Sequence, residues 1–168
     1  MLRLRPLRPY DEAAVRAAQA VMAAEGFTFG LRLENAATWD EYLRNVADHR
    51  AGLNLPAQHV PSTFLVADVD GQVVGRVSIR HELNDFLLAE GGHVGYCVLP
   101  TFRRRGYATE ILRQALVIAR SLGIDRVLVT CDDDNAGSIS VIETCGGKLD
   151  STQPAKPGSP AHLRYWIY

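Results

Sequence analysis

Lysine is all but missing from this chain: of its 18 basic residues only Lys148 and Lys156 are lysines, and the other 16 are arginines. Such usage follows genome base composition as readily as function, so it assigns no partner. The balance says more. A net charge of −1 leaves no electrostatic footprint for nucleic acid, and that class of partner is not expected. Cysteine is also scarce. Cys97, Cys131 and Cys145 are odd in number and lack metal-ligand spacing; they read as buried free thiols of a reducing cytoplasm, and no metal is expected. No apolar run reaches the length of a membrane span, and no signal-peptide pattern opens the chain, so a cytoplasmic location without a membrane partner is expected. There is no Gly-x-x-x-x-Gly-Lys-Ser/Thr and no Gly-x-Gly-x-x-Gly, so nucleoside triphosphate and dinucleotide sites lack their usual loops. What is present is ordinary globular material. At 168 residues and 47% hydrophobic, without internal repeats or a linker, the chain predicts one domain over residues 1–168.

Leu2-Arg3-Leu4-Arg5 alternates and predicts a short strand. Pro9, Asp11 and Glu12 announce a helix whose apolar face is Val15, Ala18, Met22 and Ala23, ending at Gly26. Thr38 with Glu41 is a capping box, and Trp39, Tyr42, Leu43 and Val46 follow at helical spacing as core. Arg50 to Ser62 reads as a loop. Phe64–Val69 and Gln72–Arg80 are strands joined at Asp70-Gly71, a turn that needs positive φ at both central residues. His81 to Gly91 links them to a strand over 92–98, and Phe86, Leu87 and Leu88 in that link predict partial packing. A helix is expected over about 104–122, a buried strand over 126–130 and a helix capped near Asn135 that ends at Gly146-Gly147. A Pro/Gly loop, Gln153 to Pro160, separates two last strands near 148–151 and 162–168. The order is β-α-α-β-β-β-α-β-α-β-β.

The segment with the most chemistry is Val98-Leu99-Pro100-Thr101-Phe102-Arg103-Arg104-Arg105-Gly106-Tyr107-Ala108-Thr109. Pro100 ends a strand ladder. Ala108, Ile111, Leu112, Ala115, Ile118, Ala119 and Leu122 then recur at helical spacing. The turn between them presents unpaired N–H groups at a helix N-terminus, where the macrodipole favours anions. Gly106 clears a path to the backbone, and three arginines add fixed positive charge. The physical reading is a diphosphate cradle.

Arg103-x-x-Gly106-x-Ala108 resembles the acyl-CoA pyrophosphate loop of the GNAT-type N-acetyltransferases, whose pattern is Gln/Arg-x-x-Gly-x-Gly/Ala. The element order, over essentially the whole chain, resembles the same family. The resemblance implies an α/β (α+β) fold with a mixed, splayed central sheet flanked by helices, and acetyl-CoA as acyl-donor co-substrate. It also implies cofactor contacts at Val98, Leu99, Arg103, Arg104, Arg105, Gly106, Tyr107, Ala108 and Thr109, with the Val98 N–H polarising the thioester carbonyl. Asn135-x-x-Ser138, ending in Glu143-x-x-Gly146-Gly147, resembles the second family signature and implies that Asn135 and Ser138 lie near the pantetheine arm. Asn135 is equally a plain helix cap. Many members carry a Tyr seven residues after the Asn, which protonates the leaving thiolate. Position 142 here is Ile, so that acid is missing, and Tyr107 or Tyr96 could replace it.

Amine acetylation needs a neutral amine. A lysine-like amine with pKa near 10.4 is neutral only about one part in 10³ at pH 7, so a base or water chain helps. His93, on the strand leading to the cradle, is the first candidate base, set against a strand histidine bonded to backbone. Glu90 and Glu82 follow as weaker candidates. Asp132-Asp133-Asp134 reads first as a dipole-complementing cluster, with attraction of a cationic amine as the alternative. Phe27-Thr28-Phe29-Gly30 is expected as a substrate loop. No cysteine sits in a nucleophile–base motif, so direct transfer to a primary amine in a ternary complex is expected. A non-catalytic acyl-CoA-binding module is the rival reading, and a nucleotide-binding α/β protein a third. The acceptor stays open among polyamines, aminoglycosides, amino acids and protein amino groups. Edge strands near the C-terminus could pair as a homodimer.

Overall fold

The alternating start forms β1 (Leu2–Arg5). The chain then runs through α1 (Glu12–Ala23), α2 (Trp39–Ala51), β2 (Ser62–Val69), β3 (Gln72–Arg80), β4 (Val94–Val98), α3 (Tyr107–Ser121), β5 (Val127–Asp132), α4 (Ala136–Thr144), β6 (Lys148–Gln153) and β7 (His162–Ile167). This is the expected order. The computed structural model describes residues 1–154 and 157–168; residues 155 and 156 of the expected Gln153–Pro160 loop lie outside the described residues.

The strands form two antiparallel ladders, β1-β2-β3-β4 and β5-β7-β6. Asp70 (φ +51°) and Gly71 (φ +86°) make the hairpin that pairs Val69 with Gln72, as positive φ at both positions requires. Between β4 and β5 there is no ladder. They meet at one end only. His93 N–H donates to the Leu128 carbonyl at 2.7 Å, and Leu128 N–H donates to His93 Nδ1 at 2.9 Å. The imidazole thus takes a place that a backbone carbonyl would fill in a ladder. Gly92 permits this approach, because a Cβ there would stand 2.6 Å from the Leu128 carbonyl oxygen. At the far ends, Val98 and Asp132 line one cleft. The two strands therefore run in the same sense and diverge, which makes the assembly a mixed, splayed sheet.

Both faces are covered. Ile111, Leu112, Ala115, Leu116 and Ala119 of α3 are buried in one cluster with Val77, Ile79, Val94, Val98, Val127 and Val129. Each large aliphatic among them contributes about 1.5–3 kcal/mol. On the other face, Val15, Ala18 and Met22 of α1 and Trp39 and Tyr42 of α2 cluster with Phe64, Val66 and Val73, so the helical spacing of Trp39 and Tyr42 did signal core. Thr38 caps α2 by accepting from the Glu41 N–H at 3.2 Å. A buried ion network ties the strands to the start of α1: Arg5 Nε donates to Asp68 at 2.8 Å, and Nη1 and Nη2 donate to Asp11 at 2.6 and 3.0 Å.

Two expectations change and two gain detail. Helix α3 starts at Tyr107, not Arg104, because Arg104 (φ +64°) and Gly106 (φ +77°) are left-handed and cannot propagate a helix. The link before β4 contains a π-helical turn over Leu87–Gly91, with Leu87 buried but Phe86 and Leu88 exposed. The last strand, β7, lies between β5 and β6, so within that ladder a second copy could pair only with the outer strands. Phe29 is fully buried and belongs to the core, leaving Phe27 as the aromatic of that segment that reaches the cleft.

Candidate active site

A cleft of about 920 Å³ opens where β4 and β5 diverge. Its walls are the end of α1 (Met22 to Phe27), the end of β4 (Tyr96, Cys97, Val98), the turn into α3 and the start of α4. Of the residues expected to hold a cofactor, Val98, Arg103, Arg104, Gly106, Tyr107, Ala108, Thr109, Asn135 and Ser138 line it. Leu99 and Arg105 do not. Leu99 N–H continues the ladder to the Val74 carbonyl at 2.9 Å, and Leu99 packs against the core under α1 and α2. Arg105 folds back over the Phe102 ring and donates to the Thr101 carbonyl at 3.2 Å.

The floor of the cleft is backbone. Among the described residues no side chain caps α3, and the first bond of the helix runs from Glu110 N–H to the Gly106 carbonyl at 3.2 Å. The N–H groups of Tyr107, Ala108 and Thr109 precede that bond and have no intrahelical acceptor. Gly106 adopts a conformation that favours glycine, and a Cβ there would meet nothing within 4 Å. The cradle is thus open to a ligand. Its fit to a diphosphate rests on these donors, the dipole of a 15-residue helix and the Arg104 side chain at the rim.

Arg103 does something the sequence did not signal. Its Nη atoms donate to both Glu25 carboxylate oxygens, at 3.1 and 2.6 Å, and its Nε donates to the Val98 carbonyl at 3.1 Å. It ties the end of β4 to the end of α1, and Glu25 offsets its charge. Val98 itself is well placed. Alternate residues of an antiparallel strand direct their N–H to the partner. Leu99 bonds β3, so the Val98 N–H turns away from β3 toward the cleft.

Across the cleft, Asn135 accepts from the Ser138 N–H at 3.0 Å, so it caps α4 while lining the wall. Asp132 lines it too, paired with His162 at 2.9 Å. Ile142, at the position of the family's acid, is fully buried in the core. Tyr96 stands on the wall with a buried hydroxyl that has no hydrogen-bond partner among the described residues. Burial pushes its phenol up to about 12, with the nearby Ser138 hydroxyl opposing. An orphaned polar atom at a cleft is a feature no local sequence pattern carries.

His93, expected as base, is not among the residues lining the cleft. Its Nδ1 lone pair is taken by Leu128 N–H, and it is only 7% exposed against Trp166. Burial, and then the charge of Arg80, push its pKa down to about 4. The neutral backbone-bonded histidine is what this geometry builds. Glu90 sits half-buried in the turn before β4, its carbonyl accepting from the Thr130 hydroxyl at 2.6 Å. Glu82 is exposed. The three thiols are free, and burial pushes each above its ordinary value, Cys131 to about 11. None is a ready nucleophile. Among the described residues no group of three or more His, Cys, Asp or Glu could hold a metal ion, and no helix is long and apolar enough to cross a membrane.

Comparison with known proteins agrees with this fold. A family described as an acetyltransferase (GNAT) domain matches residues 1–148. No curated protein sequence matches the chain. Among solved structures, the chain resembles an N-acetyltransferase from Staphylococcus aureus Mu50 (18% identity, TM-score 0.65, 99% of this chain and 98% of that one). It also resembles the microcin C7 self-immunity acetyltransferase MccE in complex with acetyl-CoA and AMP (14%, 0.68, 99% and 91%). A third is RimL, a ribosomal L7/L12 alpha-N-protein acetyltransferase, in its apo form (19%, 0.66, 99% and 89%). At these identities the likeness is one of fold.

Proposed function

The chain belongs to the GNAT acetyltransferase family, and from that premise we propose that it is an N-acetyltransferase moving an acetyl group from acetyl-CoA to a primary amine by direct transfer. The observation that carries this reading is the uncapped N-terminus of α3, opening on the same cleft as the outward-turned Val98 N–H. Acetyl-CoA supplies the activated acetyl thioester. The N–H groups from Gly106 to Thr109 bind its diphosphate, with Arg104 adding charge. Arg103 holds the carbonyl of Val98, and the Val98 N–H, turned away from β3 by the strand's alternation, hydrogen-bonds the thioester oxygen and favours charge building there. Tyr96 hands its proton to the departing sulfur, the task that buried Ile142 cannot perform. Glu90, on the turn leading into β4 and not among the residues lining the cleft, draws the proton of the amine through water. His93 is a positioning residue that holds β4 to β5 where they begin to part. Raised thiol pKa values favour direct transfer over an acyl-cysteine route. Three free cysteines suit a reducing compartment, and the enzyme is assigned to the cytoplasm.

A thermal melt with acetyl-CoA or CoA tests the first step. A ligand present at 100 times its Kd adds about 2.7 kcal/mol, which raises the midpoint of a chain this size by roughly 5–10 °C. No shift with either ligand at millimolar concentration overturns the reading. The Ile at position 142 favours one rival, a module that binds acyl-CoA without turnover; stabilisation with no product across a broad amine panel would select it.

A further inference from the structure

Arg76 and Arg80 point to the same place. They lie four residues apart on β3, hence on one face of the sheet. The Arg76 guanidinium donates to the carbonyls of Gly95 (3.1 Å), Phe29 (3.1 Å) and Thr28 (2.8 Å), under the Phe27 ring at 4.7 Å. The Arg80 guanidinium lies over Gly95 itself, where a Cβ would stand 3.4 Å from both Nη1 and Nη2. Glycine inside a strand marks a close approach, and here two cations converge on it. Arg80 Nη1 donates to the carbonyls of Gly91 and Gly92 at 2.9 and 3.2 Å, while Nε and Nη2 have no partner among the described residues. Neither arginine forms an ion pair among the described residues. Burial and the charge of Arg76 push Arg80 down to about 10. Both arginines are half-buried; two neighbouring like charges without a carboxylate partner are costly there, and the carbonyl dipoles offset them only in part.

The two arginines border the wall of the cleft without lining it: Arg76 packs on the Phe27 ring and pairs in register with Cys97, and Gly95 precedes Tyr96, all three neighbours being lining residues. Gly95 is three residues before Val98 on β4, about 10 Å along an extended strand. An amine held near the thioester carbonyl, with a carboxylate a few bonds away, spans that interval.

We propose that the acceptor is a small amine bearing a carboxylate, and that Arg80, lying over Gly95 with Arg76 behind it, receives that carboxylate. This rests on the acetyltransferase reading and narrows it to a substrate class. With the carboxylate on Arg80, the amine is left free to attack the thioester carbonyl that the Val98 N–H holds.

The test pairs amino acids with their C-terminal amides, identical amines that differ in the carboxylate. Acetylation is measured with acetyl-CoA, and binding of each member of a pair by calorimetry. In the wild-type protein a carboxylate-bearing amine should exceed its amide at least fifty-fold in kcat/KM. In Arg80→Gln that ratio should collapse to within about three-fold, through KM, with acetyl-CoA affinity unchanged; Arg80→Lys should keep an intermediate preference. Equal use of amide and acid by the wild type overturns the proposal. So does Arg80→Gln with the preference intact, or a panel in which no carboxylate-bearing amine is bound or acetylated. Loss of acetyl-CoA binding by the wild type would instead overturn the acetyltransferase reading, and unchanged acetyl-CoA binding by the variants shows that they fold.

Discussion

Gly106 and Gly123 bracket α3 and offer a controlled comparison. Their φ angles are +77° and +83°, and a Cβ at either position would meet nothing within 4 Å. Alanine at each therefore suffers the same backbone penalty and no clash. Forcing an L-residue into the left-handed region costs roughly 1–2 kcal/mol. Gly106→Ala and Gly123→Ala should each lower the melting midpoint by about 2–8 °C. Binding should separate them. Gly106 lines the cleft, whereas Gly123 does not. A methyl group at position 106 holds a diphosphate off the N–H groups of Tyr107 to Thr109, and a hydrogen bond to a charged group contributes about 1.5–3 kcal/mol. Acetyl-CoA affinity, read by calorimetry at constant salt, should fall ten- to hundred-fold in Gly106→Ala and stay within two-fold in Gly123→Ala. Equal affinities in the two variants would refute the reasoning, whichever way both moved.

Tyr96→Phe should cut kcat while leaving acetyl-CoA affinity alone. It should also leave the melting midpoint unchanged or slightly higher, because the hydroxyl removed is buried and unbonded. A fall in stability with unchanged kcat would show a structural hydroxyl instead. His93 titrates near 4 when folded against 6.5 when unfolded, so its contribution is complete above pH 6.5 and is lost as pH falls toward 4. Denaturant titrations of His93→Gln should show a shallower loss of stability across that window than the wild type. Arg5→Leu strands Asp11 and Asp68 as buried, unpaired carboxylates and should cost about 3–5 kcal/mol in urea unfolding, with little change in acetyl-CoA affinity if the protein is folded.

Local chemistry made much of this molecule readable. Asp70-Gly71 announced its hairpin because only a few residues tolerate two positive φ angles. The spacing of Ile111, Leu112, Ala115 and Ala119 announced α3, and Pro100 with Gly106 announced the break before it. What stayed hidden depends on residues distant in the chain. Glu25 meets Arg103 across 78 positions, so the motif's first arginine looked free for a phosphate. His93 looked like a base because nothing in its neighbourhood shows that Leu128 takes its lone pair. Phe27 and Phe29 are two residues apart, yet one reaches the cleft and the other is core, a choice made by packing under α1 and α2. The orphaned Tyr96 hydroxyl and the two arginines meeting at Gly95 emerge only when β3, β4 and α4 are brought together.

The central claim is that the uncapped start of α3 holds the diphosphate of acetyl-CoA and that Val98 faces its thioester. A crystal structure of the acetyl-CoA complex tests both at once. Diphosphate oxygens should lie within about 3.2 Å of the N–H groups between Gly106 and Thr109, and the thioester oxygen on the Val98 N–H. A cofactor bound elsewhere, or with its thioester turned away from Val98, would contradict it.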